Sequence, residues 1–334
     1  MPAVTATLTG SFGRLALAAA EGVSAPRVSV LIFHRVLPAP DPLFPGELCA
    51  GRFDRLLGAL ARAFNVLSLG RAHSLWQQQA LPPRALVITF DDGYADNATE
   101  ALPILQRHGV PATFFIATGF LDGGRMWNDT VIECIRRCTL PDIDLASFGL
   151  GRFELGSPAA RRQAIDAVLP GIKYLDLGSR EQAIARLHAL CGCPALPDDL
   201  MMSSDQVLQL HRAGMEIGGH TVMHPILTEL SDTDAAREMA AGRTRLQQLT
   251  GAPVDVFAYP NGKPGRDYAA RDVVLARNAG FRCAVSTAAG VVVAGSDPLQ
   301  WPRFTPWDRS TPAWMARLLL ARYRSGAGAL APVG

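Results

Sequence analysis

Short apolar runs recur along this chain at Leu86–Phe90, Thr113–Ile116, Met215–Ile217, Val254–Ala258 and Arg282–Val285. Between them lie stretches with helical periodicity, Arg52–Ala63, Asn97–Arg107, Asp232–Leu249 and Tyr268–Ala279. Strands that alternate with helices argue for a parallel α/β architecture. Barrels and open sheets of that kind gather their functional side chains just beyond the C-terminal ends of the strands. At 334 residues and 49% hydrophobic content the chain can bury a substantial core, as one large α/β domain or two smaller ones.

Two motifs sit at such strand ends. Asp91 and Asp92 close the run Val87-Ile88-Thr89-Phe90 and are followed at once by Gly93. Side chains alternate along a strand, but at its frayed end two neighbours can converge on one pocket. Like charges that close repel strongly unless a cation neutralises them. One carboxylate would then bind a metal and the other stay free as a base. The plainer reading is a polar strand-to-loop cap, where Asp and Gly are common. The second motif, Gly219-His220-Thr221-Val222-Met223-His224-Pro225, carries two histidines four residues apart. Pro225 disfavours helical geometry at His224, so both are expected on a tight loop after a strand. Two imidazoles and a carboxylate are ordinary ligands of zinc or a similar divalent ion and leave coordination positions open for catalysis. The plainer reading is two histidines that never meet. Finding both motifs in one chain favours the metal site.

In these residues the chain resembles the polysaccharide deacetylases of carbohydrate esterase family four, the NodB homology domain. The resemblance runs from about Val28 to Phe304, apart from the segment between about Gly123 and Asp205. It implies a distorted (β/α) barrel of about seven parallel strands and hydrolytic N-deacetylation of an N-acetylated sugar. Asp91 is then the general base, and Asp92, His220 and His224 hold one divalent metal ion. Zn²⁺ is the first choice, and the ligand types also admit Co²⁺, Ni²⁺ or Fe²⁺. The implied substrate is an N-acetylated oligo- or polysaccharide or a lipid-linked sugar.

The chain departs from the family pattern twice. Phe257-Ala258-Tyr259-Pro260-Asn261-Gly262 stands where an Arg-x-Pro-Tyr motif belongs. The backbone N–H at the tyrosine position helps to bind an oxyanion there, and Asn261 keeps an N–H. The arginine that orients the base must come from elsewhere. Arg303, which ends the extended stretch Trp301-Pro302-Arg303, is the candidate and Arg266 the alternative. Tyr259, Pro260 and Trp127 are the candidate substrate contacts. The second departure is a missing C-terminal Leu-x-His motif, the usual source of the general acid. No histidine follows His224. Among His34, His73, His108, His188 and His211, only His34 ends an apolar run, Val28–Phe33. Poly-N-acetylglucosamine deacetylases are similar here, with the last barrel strand moved to the N-terminus and its histidine acting as acid. The alternative is a satisfied core histidine.

The remaining sequence sets limits. A net charge of +2 gives no electrostatic footprint for nucleic acid, and aromatic content of 7% is low for an extended sugar-stacking cleft. Trp127, Trp301 and Trp307 could each stack on a pyranose. Cys49, Cys134, Cys138, Cys191, Cys193 and Cys283 form no zinc pattern and read as reduced thiols, which points to the cytoplasm. The apolar run Leu15–Ala20 is short for a signal core. The chain divides into an N-terminal extension (1–26), a barrel (27–308) and a C-terminal helix and tail (309–334). Within the barrel, about 123–205 reads as an insertion of helices alone, with Trp127–Arg137, Ala159–Leu169 and Arg180–Leu190. The Arg-rich helix Trp314–Arg324 is expected to dock on the barrel, with contact to a membrane surface as the alternative. Two other functions stay open: the same metal site acting on a formyl or cyclic amide, and an inactive sugar-binding module.

Overall fold

The computed structural model describes residues 27–193, 195–304 and 310–324. Trp307 and the Leu15–Ala20 run lie outside the described residues. The chain opens with β1 (Val28–Phe33), α1 (Ala50–Ala63), β2 (Asn65–Leu67), α2 (Leu69–Gln77) and β3 (Ala85–Phe90). A wide π-type turn at Asn97–Ala101 leads into α3 (Leu102–His108) and β4 (Thr113–Ile116). The insertion follows with α4 (Trp127–Arg137), β5 (Asp142–Asp144), β6 (Arg152–Glu154), α5 (Pro158–Lys173) and α6 (Leu177–Cys191). The barrel resumes with α7 (Ser204–Arg212), β7 (Glu216–Gly219), α8 (Asp232–Thr250), β8 (Val256–Ala258) and α9 (Ala270–Asn278). It ends with β9 (Cys283–Ala289), β10 (Trp301–Arg303) and α10 (Thr311–Arg324).

Seven strands pair in parallel in the order β1-β3-β4-β7-β8-β9-β10, and β2 adds to the N-terminal half of β3. A parallel bridge between Leu31 and Phe304 joins the two ends of that path. There the Phe304 N–H donates to Val30 O at 2.7 Å and the Ile32 N–H to Phe304 O at 3.2 Å. The result is the nearly closed, distorted barrel that the family resemblance implies, built from the parallel α/β alternation. The distortion has a local cause. Pro302 lacks an N–H in the middle of the closing strand, whose register against β9 slips between Trp301 and Arg303.

Strand parity decides what lies inside. Val28, Val30, Ala85, Val87, Val256, Ala258, Cys283, Val285 and Trp301 share one buried cluster that lines the lumen. Leu31, Phe33, Leu86, Ile88, Phe90 and Phe257 face the other way, against Phe53, Leu57, Leu105 and Leu246 of the helices. Trp301 is therefore not a sugar platform. It is fully buried, with His73 and Trp76 edge-on to its ring at 5.8 Å each.

The insertion carries its own core, in which Val131, Ile135, Ile165, Val168 and Leu187 pack together. It is not made of helices alone. Its β5 and β6 pair antiparallel with Ile143 opposite Phe153. These are three-residue strands rich in Asp, Arg and Glu, which leave no apolar run to read. Cys134, Cys138, Cys191 and Cys193 join this core as free thiols.

At the opposite end, α10 docks on the barrel through buried Trp314 and Leu318. Arg322 does not lie on the helix's polar face as its sequence position suggests. It is buried at the N-terminal strand ends, donating to Ser29 Oγ and Ala85 O at 3.1 Å each and to Arg27 O at 3.0 Å. Among the described residues no helix is long and apolar enough to cross a membrane. Replacing Arg322 with Ala leaves those acceptors unsatisfied. It is expected to cost about 2–3 kcal/mol in urea denaturation, whereas the same change at exposed Arg237 leaves the midpoint nearly unmoved.

Candidate active site

Asp91 continues the inward parity of Val87 and Thr89, so its carboxylate stands in the lumen at the C-terminal mouth. Its own N–H is tied to Phe33 O at 2.9 Å. Arg303 continues the inward parity of Trp301 from the closing strand. Its guanidinium grips Asp91 with both arms, Nη1 to Oδ1 and Nη2 to Oδ2, each at 2.7 Å. The same group also donates to Thr89 Oγ1 and to Ser286 O, so its orientation is fixed from three sides. Burial alone would raise the Asp91 pKa. The Arg303 charge, followed by His220, outweighs that and holds it below the usual carboxylate range. Arg266 is elsewhere, over the Tyr174 ring.

Asp92 would point away from Asp91 on a regular strand. Its φ of 76° breaks the strand and turns the carboxylate toward the histidines. Asp92 Oδ1 lies 3.3 Å from His220 Nε2 and 3.4 Å from His224 Nε2. The Asp92 carboxyl is held well below its ordinary range: burial opposes this, and the two imidazoles overcome it.

The donor set fits a divalent ion. One ligand atom from each of Asp92, His220 and His224 falls within 4.8 Å of the others. His220 Nδ1–H donates to Ala258 O at 2.7 Å, which leaves the Nε2 lone pair turned inward. Burial, with help from the His220 and His34 charges, pushes His224 down to about 4, so it stands neutral and able to coordinate.

The tight loop predicted from Pro225 is present, and it is strained. Thr221 at φ 64° and His224 at φ 51° both sit in the left-handed region. Neighbouring groups hold it there. Glu238 of α8 accepts the Val222 and Met223 N–H groups at 2.9 and 2.8 Å. Gly242, one turn further on, lets that helix approach, since a Cβ there would stand 2.8 Å from Thr221 O.

Asn261 also lies in the left-handed region, at φ 59°, and its carbonyl is held by Thr287 Oγ1 at 2.9 Å. Among the described residues nothing accepts its N–H, and the residue lines the cleft. His34 sits exposed just past β1, its carbonyl held by Asn97 Nδ2 at 2.8 Å. Next to it, Arg35 pairs with Asp96 at 2.7 Å. Of the seven histidines, only His34, His220 and His224 line the cleft.

This cleft encloses about 630 Å³, floored by the barrel mouth and walled by the insertion. Trp127 stands in that wall, with the Arg180 guanidinium 5.3 Å from its ring centroid. Tyr259 and Pro260 do not reach the cleft. Both are buried, and Tyr259 stacks on Tyr268 at 3.9 Å and donates its hydroxyl to Leu299 O. Continuing the strand parity past Phe257 turns Tyr259 outward, toward the helices.

Asp129 and Tyr94 are site neighbours that no motif announced. The Tyr94 hydroxyl donates to Asp129 Oδ2 at 3.0 Å, and both line the cleft. Burial, with Asp92 and Glu133 adding to it, raises Asp129 to about 7 against the pull of Arg35 and Tyr94. The only sequence signal was an Asp in the first turn of a helix, which is commonplace.

The sequence model of the polysaccharide deacetylase family matches residues 78–145 and 178–284, just over half of the chain. YxkH of Bacillus subtilis is 43% identical over 42 residues, a stretch that covers 13% of this chain and 15% of that protein. The deacetylase PplD of Streptococcus pyogenes, solved with acetate, superposes at a TM-score of 0.61 with 17% identity. It covers 88% of this chain and 99% of its own. IcaB of Ammonifex degensii superposes at 0.57 with 18% identity, over 89% and 97% of the two chains. At those identities the likeness is one of fold.

Asp129 makes a prediction about pH. Its folded pKa lies above the unfolded value near 4, so its stabilising contribution is complete below about pH 4 and is lost as pH rises through about 7. Asp129→Asn is uncharged throughout. Its stability relative to the wild type should climb between pH 4 and 8, by about 4 kcal/mol at most, in urea titrations of metal-free protein. A difference that is flat with pH would count against the raised value.

Proposed function

Because this chain belongs to the polysaccharide deacetylase family, we propose that it hydrolyses the N-acetyl group of an amino sugar in a polysaccharide or its precursor. Asp92, His220 and His224 would hold a divalent metal ion. The observation that carries this reading is the division of labour between two adjacent carboxylates. Asp91 is gripped by Arg303, and Asp92 is turned toward two histidines.

A bound divalent ion supplies Lewis acidity toward the amide carbonyl and toward water. Everything else falls to the chain. Asp91, kept ionised by Arg303, takes the proton of the attacking water as the new C–O bond forms at the carbonyl carbon. The free N–H of Asn261 donates to the developing oxyanion. His34 delivers a proton to the nitrogen as the C–N bond breaks, leaving acetate and a free amine on the sugar. Trp127 offers a face to the sugar ring. Zn²⁺ is the proposed metal, with Co²⁺, Ni²⁺ and Fe²⁺ compatible with the same ligands.

The test is acetate release from chitooligosaccharides, measured after chelation and again after metal is restored. Release that returns with metal, vanishes in Asp91→Asn and falls at least 100-fold in His34→Ala is the expected result. Metal binding without acetate would move a formyl or cyclic amide, or a lipid-linked sugar, to the front. Failure to bind metal would remove the site assignment itself.

Arg303 generates a separate expectation. In Arg303→Ala, burial of Asp91 loses its largest counterweight, only the His220 and His34 charges still oppose it, and the pKa rises. The acid limb of the kcat/KM profile should move to higher pH by about one unit or more, since one unit is 1.36 kcal/mol and the lost pair is buried. An unmoved limb with unchanged turnover would mean that Arg303 does not orient the base.

A further inference from the structure

Two arginines that line the cleft are paired with acids. Arg35 is held by Asp96, and Arg136 is held by Asp41 and Glu133. One side of the cleft differs. Lys263 and Arg266, on the loop that carries Asn261, and Lys173, the last residue of α5, also line it. Among the described residues none of the three has a carboxylate within ion-pair distance; Asp267 is the acid near them. Asp267 is buried beneath the loop, and its Oδ2 accepts the backbone N–H of Lys263, not the ammonium.

The three charges are close enough to act on one another. The half-buried Lys173 is held below the ordinary lysine value by burial first; Asp267 opposes this, and the Lys263 and Arg266 charges add smaller contributions to the lowering. Both Lys173 and Arg266 lean on the exposed Tyr174 ring, with Nζ at 5.6 Å and the guanidinium at 4.7 Å from its centroid. Three like charges on one cleft wall repel one another, and with the single buried Asp267 beneath them they leave a net positive wall that favours an anion in the cleft. Guanidinium and ammonium groups are also the usual partners of phosphate and carboxylate. Lys263 stands two residues beyond Asn261, so an anion held here would lie beside the amide being cleaved.

We propose that Lys173, Lys263 and Arg266 form a substrate subsite for an anionic group, a phosphate ester or a carboxylate, carried by the N-acetylated sugar or by its neighbour. This deepens the deacetylase reading and rests on it. The test compares kcat/KM for metal-loaded protein on three probes. These are neutral tetraacetylchitotetraose, N-acetylglucosamine 1-phosphate, and a hyaluronan tetrasaccharide whose charges are carboxylates.

The wild type should favour at least one anionic probe by tenfold or more, and whichever is favoured names the anion. That preference should collapse toward unity in the double variant Lys263→Gln/Arg266→Gln and should partly survive in Arg266→Lys. Thermal melting of each variant checks that it is folded. Equal rates on all probes, unaltered in the double variant, would overturn the subsite and leave the deacetylase standing. If no probe is hydrolysed, the deacetylase reading fails on its own terms, and calorimetric binding of the same probes decides the subsite. Anionic probes bound tenfold more weakly by the double variant would support it, and equal binding would overturn it.

Discussion

The Arg303–Asp91 pair crosses the seam of the barrel. One partner ends the closing strand and the other follows the strand beside β1, so the interaction that orients the proposed base also ties the ring shut. A charge pair this deeply buried repays its desolvation only when every donor and acceptor is satisfied. Here Thr89 and Ser286 take up further guanidinium contacts. With Asp91 committed to arginine, the adjacent Asp92 is left for the histidines.

The rest of the mouth depends on backbone conformations that the chain would not choose unaided. Asp92, Thr221, His224 and Asn261 are four of the seven non-glycine residues in the left-handed region among the described residues. Each departure costs on the order of 1–3 kcal/mol and persists only where its surroundings over-determine it. Glu238 beneath the histidine loop and Thr287 beneath Asn261 are such surroundings. Neither belongs to the proposed reaction centre, yet both fix the backbone that carries it.

Asp91, Asp92, His220 and His224 were legible in the sequence because each pair is local and ends a strand, and strand ends are where such folds assemble their chemistry. His34 and Arg303 could be placed at the mouth by the same rule, although the family's sequence match covers neither. Tyr259 was misplaced because motif position says nothing about strand parity, which turns its ring into the helix layer. Trp301 failed for the opposite reason, since its parity carries it into a sealed lumen. Asp129, Tyr94 and Lys173 were invisible. Their role depends on how the insertion folds back over the barrel, and no local pattern encodes that. The hairpin of the insertion escaped because its strands are short and charged.

The family's sequence match breaks off at residue 145 and resumes at 178, skipping β6 and α5 within the insertion. That stretch helps to build a core separate from the barrel's, and α5 ends at the cleft with Lys173. A wall with its own packing can exchange side chains without shifting the strands that hold Asp91 and Asp92. The proposed chemistry would then rest on the barrel's core, and part of the proposed substrate wall, Trp127 and Lys173, on the insertion's. Selection can retune the second as a module while the first stays fixed.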